Sequence, residues 1–277
     1  IGAHGQTVRH RPQQFDGTGY TVQLCQPALL AELTGIDVVA DFRSRDVAAG
    51  GQGAPLAPFF HQGAFGRSGE NVAVLNIGGM ANLTVLRADG SMTGFDCGPG
   101  NCLMDLWCAR HTGRAYDAGG AWAATGRPVA SLLDLLMADP FFAQMPPKST
   151  GRDLFNTPWL EEALAGFANT APADVQSTMA ELTARACSED VLRHAPDLQR
   201  LIVCGGGALN HHLMARLQAR LPQVKVESSD AQGLPPMQVE AMAFAWLARK
   251  AVLREKLELT SNTGARGARV LGAIYPA

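Results

Sequence analysis

Residues 94–101 combine one carboxylate, Asp96, with three glycines and a proline at the end of an apolar stretch. A strand that ends at an acidic residue and turns sharply into a helix would hold the carboxylate at the edge of a sheet. Gly98 and Gly100 allow backbone conformations closed to other residues and a close approach by a ligand. Asp96 can therefore act as a general base, or it can simply cap the following helix. The local pattern supports the two alternatives equally.

Two glycine-rich turns elsewhere in the chain have the form of anion-binding sites. Gly78-Gly79 connects two predicted strands, and backbone N–H groups in such a turn can cradle a phosphate. Residues 205–207, three glycines, follow a buried apolar strand and precede a helix, the arrangement in which a phosphate meets a helix N-terminus. The triple glycine is the stronger indication of a nucleotide site, because a two-glycine hairpin alone is a weak signal.

Several charged side chains are candidates for ligand contacts, and each has a structural alternative. Arg45 and Asp46 precede a segment rich in glycine and proline, where they belong either to a site or to a solvated ion pair. Lys148 and Arg152 lie in a predicted loop, where they either contact an anion or are solvated. Glu240 lies on a nearly all-round apolar helix, so its carboxylate needs either a structural partner or a ligand.

Composition limits the class of protein. The 277 residues are 47% hydrophobic and 17% charged, which suits one large or two medium globular domains. A net charge of -2 without a basic run argues against a nucleic-acid partner. The six cysteines form no Cys-x-x-Cys pair, so we expect reduced thiols, no metal site and a cytoplasmic location. No apolar run reaches membrane-spanning length, so no membrane partner is expected.

The predicted elements alternate in the manner of an α/β protein. Residues 21–24, a helix after Pro27 and residues 38–40 predict a strand, a helix and a strand. Three consecutive antiparallel strands before a helix match the start of a ribonuclease-H-like domain: residues 72–77, 83–86 and 91–95, then a helix over 101–110. Pro172 lies near the start of a long helix, since apolar residues then repeat at helical spacing.

Six motifs follow one another along the chain. They are residues 4–9 (HGQTVR), 41–55 (DFRSRDVAAGGQGAP), 76–83 (NIGGMANL), 94–101 (GFDCGPGN), 147–152 (PKSTGR) and 205–210 (GGGALN). Each motif alone is modest, but the six in this order resemble the anhydro-N-acetylmuramic acid kinase family, within the sugar kinase, Hsp70 and actin superfamily. The resemblance covers nearly the whole chain.

The resemblance implies an ATP-dependent kinase of bacterial peptidoglycan recycling and amino-sugar catabolism. In that reaction ATP phosphorylates O6 of 1,6-anhydro-N-acetylmuramic acid while water opens the anhydro ring, which gives N-acetylmuramic acid 6-phosphate and ADP. The implied cofactors are ATP and Mg²⁺, with the metal carried by ATP and not by a separate protein site. The implied partners are therefore the sugar and ATP, and a homodimer is left open.

The resemblance also implies roles for individual residues. Asp96 matches the base that activates the water attacking C1. The positions matching the nucleotide site are Gly78, Gly79, Asn82, Gly205, Gly206, Gly207 and Asn210. The positions matching the sugar site are Arg45 and Glu240, with His4 and Gln6 as weaker candidates.

The fold implied by the resemblance is two ribonuclease-H-like domains with a central cleft. We expect the first to comprise residues 1–68 plus 262–277 and the second residues 69–261. The family begins with a strand and a Gly-Thr-Ser-x-Asp-Gly loop that grips phosphates, and no such loop occurs in this sequence. We therefore expect an N-terminal truncation, an incomplete first domain, and little kinase activity until the upstream segment is restored.

Two alternatives remain at this point. An ordinary hexose kinase of the same superfamily would use Asp96 to deprotonate a sugar hydroxyl, and it would prefer a plain hexose to the anhydro sugar. A non-catalytic nucleotide-binding module would bind ATP without turning it over in the full-length protein.

Overall fold

The computed structural model describes residues 1–277, which form nine strands and eleven α-helices. The strands are β1 (Gln6–Pro12), β2 (Gly19–Leu24), β3 (Val38–Ala40), β4 (Val72–Ile77), β5 (Met80–Leu86), β6 (Met92–Pro99), β7 (Arg200–Cys204), β8 (Lys225–Ser228) and β9 (Ala273–Tyr275). The helices are α1 (Pro27–Thr34), α2 (Ser44–Ala48), α3 (Ala57–Phe65), α4 (Cys102–Thr112), α5 (Ala130–Met137), α6 (Pro140–Ala143), α7 (Thr157–Leu164), α8 (Pro172–His194), α9 (His211–Arg220), α10 (Val239–Val252) and α11 (Thr260–Thr263). None of the helices is both long enough and apolar enough to cross a bilayer.

The chain forms two compact units, each with its own apolar core. The first unit comprises Ile1–Gly66, Ser91–Thr93 and Glu240–Ala277, and the second comprises Arg67–Gly90 and Gly94–Val239. The sequence interpretation assigned residues 240–261 to the second domain. Helix α10 belongs to the first unit because Leu247, Ala248 and Ala251 share a core with Val39 and Phe59.

A five-stranded mixed sheet forms the centre of the second unit, in the order β6-β5-β4-β7-β8. Strand β4 pairs antiparallel with β5 and parallel with β7, which in turn pairs parallel with β8. Five of the six residues of β4 are buried, which explains its continuous apolar sequence, since both faces of this central strand are covered. This strand order confirms the α/β class and the ribonuclease-H-like topology expected for this region.

The long helix α8 is the main element packed on this sheet. Pro172 occupies its first turn, where proline is tolerated because the N–H it lacks would have no intrahelical partner. Val175, Met179 and Leu182 are at most 1% exposed and belong to the same core as the strands. Helix α8 also carries the buried carboxylate of Asp190, which pairs with Lys148.

The first unit contains two separate two-stranded antiparallel sheets, β1 with β2 and β3 with β9. The strand, helix and strand predicted over residues 21–40 are all present, but β2 and β3 lie in different sheets. Strand β1 was missed because its sequence, QTVRHRP, is polar and mostly exposed. The pairing of β3 with β9, a partner far away in sequence, is set by packing and not by the local pattern.

Candidate active site

Two glycine turns lie at the same edge of the central sheet, because β4 and β7 run parallel and each turn follows the end of its strand. Gly205 has a φ of +76°, and a Cβ there would lie 2.6 Å from Asn76 Oδ1 and 2.7 Å from the Ile77 carbonyl oxygen. Only glycine fits such a conformation so close to another backbone. The triple-glycine turn therefore packs directly against the end of β4, where the Gly78-Gly79 turn begins.

The Gly78-Gly79 turn is also bonded to the start of helix α4. The Asn101 N–H donates to the Gly78 carbonyl oxygen at 2.8 Å, and the Cys102 N–H donates to the Gly79 carbonyl oxygen at 3.2 Å. A Cβ on Gly100 would lie 2.4 Å from the Gly78 carbonyl oxygen, so this contact requires glycine. Hydrogen bonds and close packing thus hold the loop that follows Asp96 against the Gly78-Gly79 turn.

Asp96 lies within β6 and not at the end of a strand, since β6 continues to Pro99. The N-cap of α4 is Asn101, so the alternative in which Asp96 caps that helix is wrong. Its Oδ2 instead accepts hydrogen bonds from the Ser149 hydroxyl and the Thr150 N–H, each at 2.9 Å. Both bonds go to one oxygen, so Oδ1 takes part in neither of them.

The surroundings of Asp96 make it more basic than a surface aspartate. Burial raises the pKa of its carboxyl group, because desolvation disfavours the ionised form. The hydrogen bonds from the Thr150 N–H and the Ser149 hydroxyl, together with the charge of Lys148, oppose this rise in pKa. These opposing effects matter for a general base, because its carboxyl group must be ionised at the working pH and still have appreciable affinity for a proton.

Lys148 anchors the loop that holds Asp96. Its ammonium lies 2.9 Å from Asp190 Oδ2, and the two side chains are 1% and 3% exposed. The carbonyl oxygen of Lys148 also accepts a hydrogen bond from the Asp96 N–H at 3.1 Å. The solvated alternative for Lys148 is therefore wrong, and the anion that it contacts is a carboxylate of the protein itself. Ser149 and Thr150 were missed as partners of Asp96 because nothing in the local pattern links segments 53 and 54 residues apart.

The predicted nucleotide positions divide into groups with different surroundings. Gly205 donates its N–H to the Pro236 carbonyl oxygen at 3.0 Å, and the Asn210 side chain caps α9 by accepting from the Leu213 N–H at 3.0 Å. A Cβ on Gly207 would lie 2.4 Å from Ile77 Cβ, so this glycine permits close packing. Gly206 has more room, since a Cβ there would lie 3.3 Å from Asn101 Nδ2 and 3.9 Å from Met237 Sδ. Asn82 pairs with Asn76 across β4 and β5, one step from the end of the ladder.

In the first unit, one predicted sugar residue, His4, contacts an arginine that the sequence analysis did not single out, and the charge of a second, Glu240, acts on that arginine. Arg43 Nε donates to His4 Nε2 at 2.8 Å, and burial and the Arg43 charge both lower the pKa of His4. Burial lowers the pKa of Arg43, and the carboxylates of Glu240 and Asp46 oppose that change. Glu240 itself is exposed, so water can solvate its carboxylate, and the structure does not require the partner or ligand that the apolar helix suggested.

Arg45 and Gln6 are placed differently. Arg45 is exposed and lines a cavity of about 810 Å³ whose walls include Arg254, Lys256 and Arg269 but neither His4 nor Glu240. Gln6 is exposed and donates only to the neighbouring Thr7 carbonyl oxygen, at 3.2 Å. Asp46, read as half of a solvated ion pair with Arg45, is instead fully buried and accepts from the Gly53 N–H and the Thr263 hydroxyl, each at 2.6 Å.

The structure contains no group of three or more histidine, cysteine, aspartate or glutamate side chains arranged to hold a metal ion. The glycines of the two turns carry no side chains of their own, so a phosphate chain can come close to their backbone. The residues present therefore fit a nucleotide better than a metal cage of their own. All six cysteines are free thiols.

The chain matches the family model for anhydro-N-acetylmuramic acid kinase over residues 1–277. It is 64% identical over 282 residues to the anhydro-N-acetylmuramic acid kinase of Variovorax paradoxus, an alignment that covers 100% of this chain and 75% of the relative. It is 62% identical over 297 residues to the relative of the same name from Albidiferax ferrireducens, with 100% and 76% covered. The relative of that name from Pseudomonas paraeruginosa is 55% identical over 277 residues, with 100% and 75% covered.

Proposed function

We propose that this chain, which belongs to the anhydro-N-acetylmuramic acid kinase family, uses ATP to phosphorylate O6 of 1,6-anhydro-N-acetylmuramic acid while water opens the 1,6-anhydro ring. The products are N-acetylmuramic acid 6-phosphate and ADP. The observation that carries the proposal is the Asp96 carboxylate, held by one oxygen at the same sheet edge as two glycine turns. A cytoplasmic location remains a prediction, in keeping with the six free thiols.

Asp96 acts as the general base in this proposal. Its Oδ1 accepts a proton from water, the water oxygen bonds to C1 of the sugar, and the bond between C1 and O6 breaks. The electrons of that bond remain on O6, which takes the γ-phosphoryl group as ADP leaves. Ser149 and Thr150 hold Oδ2, so the carboxylate keeps its orientation while Oδ1 changes its protonation state.

ATP would lie against the turns at Gly78-Gly79 and at residues 205–207, where backbone N–H groups contact its phosphates. The N–H groups of Gly78 and Gly205 are not among them, because they donate to the carbonyl oxygens of Met80 and Pro236. Gly205 and Gly207 serve this surface by allowing close packing, and Asn210 serves it by capping α9. Mg²⁺ would be bound through the phosphates, because magnesium keeps several waters and takes few protein ligands in such sites. When bound, it neutralises negative charge on the phosphates as the phosphoryl group moves.

The sugar contacts remain predictions for His4, Gln6, Arg45 and Glu240. We add Arg43 to this group. His4 accepts a hydrogen bond from it, and the charge of the Glu240 carboxylate opposes the lowering of its pKa by burial. A guanidinium suits a sugar that carries a carboxylate, because it can donate hydrogen bonds to it. Arg43 can offer only its remaining donors, since its Nε donates to His4 and its Nη1 to the Gly53 carbonyl oxygen. Among the predicted positions, Gln6 has the least structural support.

The reaction is tested by incubating the full-length protein with ATP, Mg²⁺ and the anhydro sugar in oxygen-18-labelled water. We expect phosphate on O6 and one labelled oxygen on C1 of the product, detected by NMR and mass spectrometry. Phosphorylation of a plain hexose at the same rate, or a product whose anhydro ring is intact, would contradict the proposal.

Asp96→Asn is the matching variant, since it preserves size and removes the base. We expect kcat to fall about 100- to 10,000-fold, the usual contribution of a general base, while ATP affinity stays unchanged. Asp197→Asn, at an exposed aspartate of the same unit, is the control and should retain full activity. Ring opening at the normal rate by Asp96→Asn would show that another group activates the water.

A further inference from the structure

The five residues from Lys148 to Arg152 connect the base to the first glycine turn. Lys148 is buried, and Ser149 and Thr150 bond to Asp96 Oδ2. Arg152 extends to the turn itself, since its Nη2 and Nε atoms lie 3.5 Å and 3.7 Å from the position a Cβ on Gly79 would occupy. The same short segment thus orients the carboxylate and places a guanidinium over the Gly78-Gly79 turn.

The charge of Arg152 is not neutralised by a close carboxylate. Its side chain is exposed and takes part in none of the ion pairs of the structure. Asp105 on α4 is within reach of the Arg152 charge: burial raises the pKa of Asp105 to about 6, and Arg152 opposes that rise. Burial likewise raises the pKa of Cys102 to about 11, again opposed by Arg152. The guanidinium therefore lies beside the start of α4 with its donors free for another anion.

We propose that Arg152 binds the terminal phosphate of the nucleoside triphosphate lying on the Gly78-Gly79 turn, and that it discriminates ATP from ADP. This inference rests on the proposed function and assigns a residue of that site. A planar guanidinium donates two parallel hydrogen bonds to phosphate oxygens, and its position is fixed here by the segment that also holds the base. The phosphoryl group that moves to O6 is then bound from the same segment that orients the base.

The test compares two nucleotides, adenosine 5′-(β,γ-imido)triphosphate and ADP, by titration calorimetry with Mg²⁺ on the full-length protein. We expect Arg152→Gln to weaken binding of the triphosphate about 10- to 100-fold, the loss of one or two charge-assisted hydrogen bonds, and to change ADP binding less than about twofold. Arg152→Lys should recover part of the loss, because lysine keeps the charge but not the fork. Arg127→Gln, at an exposed arginine in another loop, is the control and should change neither affinity.

Equal weakening of both nucleotides would overturn the proposal, since the contact would then lie on the diphosphate part. Unchanged binding of both nucleotides, or weakened binding of the anhydro sugar alone, would also overturn it, the latter by moving Arg152 to the acid group of the sugar. Circular dichroism and thermal unfolding of Arg152→Gln show whether a loss reflects misfolding, and Arg152→Lys provides the second variant. If the wild type forms no sugar phosphate, the proposed function fails, whereas the difference between the two nucleotides remains measurable.

Discussion

The ion pair of Lys148 and Asp190 gives a quantitative test of how the base is held. Lys148→Met keeps the length of the side chain but leaves the Asp190 carboxylate, 3% exposed, without its cation. Removing one partner of a buried pair costs about 3–5 kcal/mol, because the remaining charge stays out of water without compensation. For a domain of this size each kcal/mol lowers Tm by roughly 2–4 °C, so we expect a decrease of roughly 6–20 °C.

The matched control is the exposed pair of Arg110 and Glu161. Arg110 Nη2 lies 2.7 Å from Glu161 Oε1, but the two side chains are 39% and 54% exposed. Because water screens such a pair, Arg110→Met should cost less than about 1 kcal/mol. The double variant Lys148→Met, Asp190→Leu removes both buried charges, and it should regain most of the stability lost in the single variant.

The assays are thermal unfolding followed by circular dichroism and kcat from ADP release, both on the full-length protein. We expect kcat to fall in Lys148→Met, since Asp96 is bonded to the carbonyl of Lys148 and to the two residues after it. A stability loss in Lys148→Met no larger than that in Arg110→Met would refute the reasoning. A double variant that is no more stable than Lys148→Met alone would refute it too.

Two further perturbations test the site directly. Ser149→Ala removes a hydrogen bond that stabilises the ionised Asp96 and lowers its pKa, so the acidic limb of the kcat profile should move to higher pH by about one pH unit. The ring-opening rate across pH measures this, and a limb that stays in place or moves to lower pH would contradict the assigned role of Ser149. Gly205→Ala places a Cβ 2.6 Å from Asn76 Oδ1 at a φ of +76°, so we expect a loss of more than about 1 kcal/mol in stability together with weaker ATP binding. Gly113→Ala, where φ is +71° and nothing lies within 4 Å of the added atom, is its control, and an equal loss in both would attribute the effect to backbone strain alone.

Local sequence was sufficient for much of the second unit. The apolar run at residues 72–77, the glycine turns after β4 and β7, and the long helix after Pro172 all appear where they were expected, with small differences in their bounds. Such features depend on residues close in the chain, through periodicity and the freedom of glycine. The local pattern also identified the Asp96 carboxylate, but it could not distinguish a helix cap from a general base.

The first unit was less accessible to the same reasoning. Strand β1 is polar and mostly exposed, so its sequence has no apolar alternation to reveal it. Strand β3 pairs with β9, more than two hundred residues away, and α10 joins the core of this unit rather than that of the second. These choices depend on which apolar faces meet after collapse, a property of the whole chain.

The sequence by itself determined that the Asp96 carboxylate and two glycine turns able to bind phosphate are present, and its motifs identified the family. Only the tertiary structure decided what holds them: Ser149 and Thr150 on Asp96, and Lys148 in a buried pair with Asp190. It also placed Arg43 beside His4 in the first unit. The physical reason is that glycine conformations and strand periods are local properties, whereas hydrogen-bond partners and desolvation exist only after packing brings distant segments together.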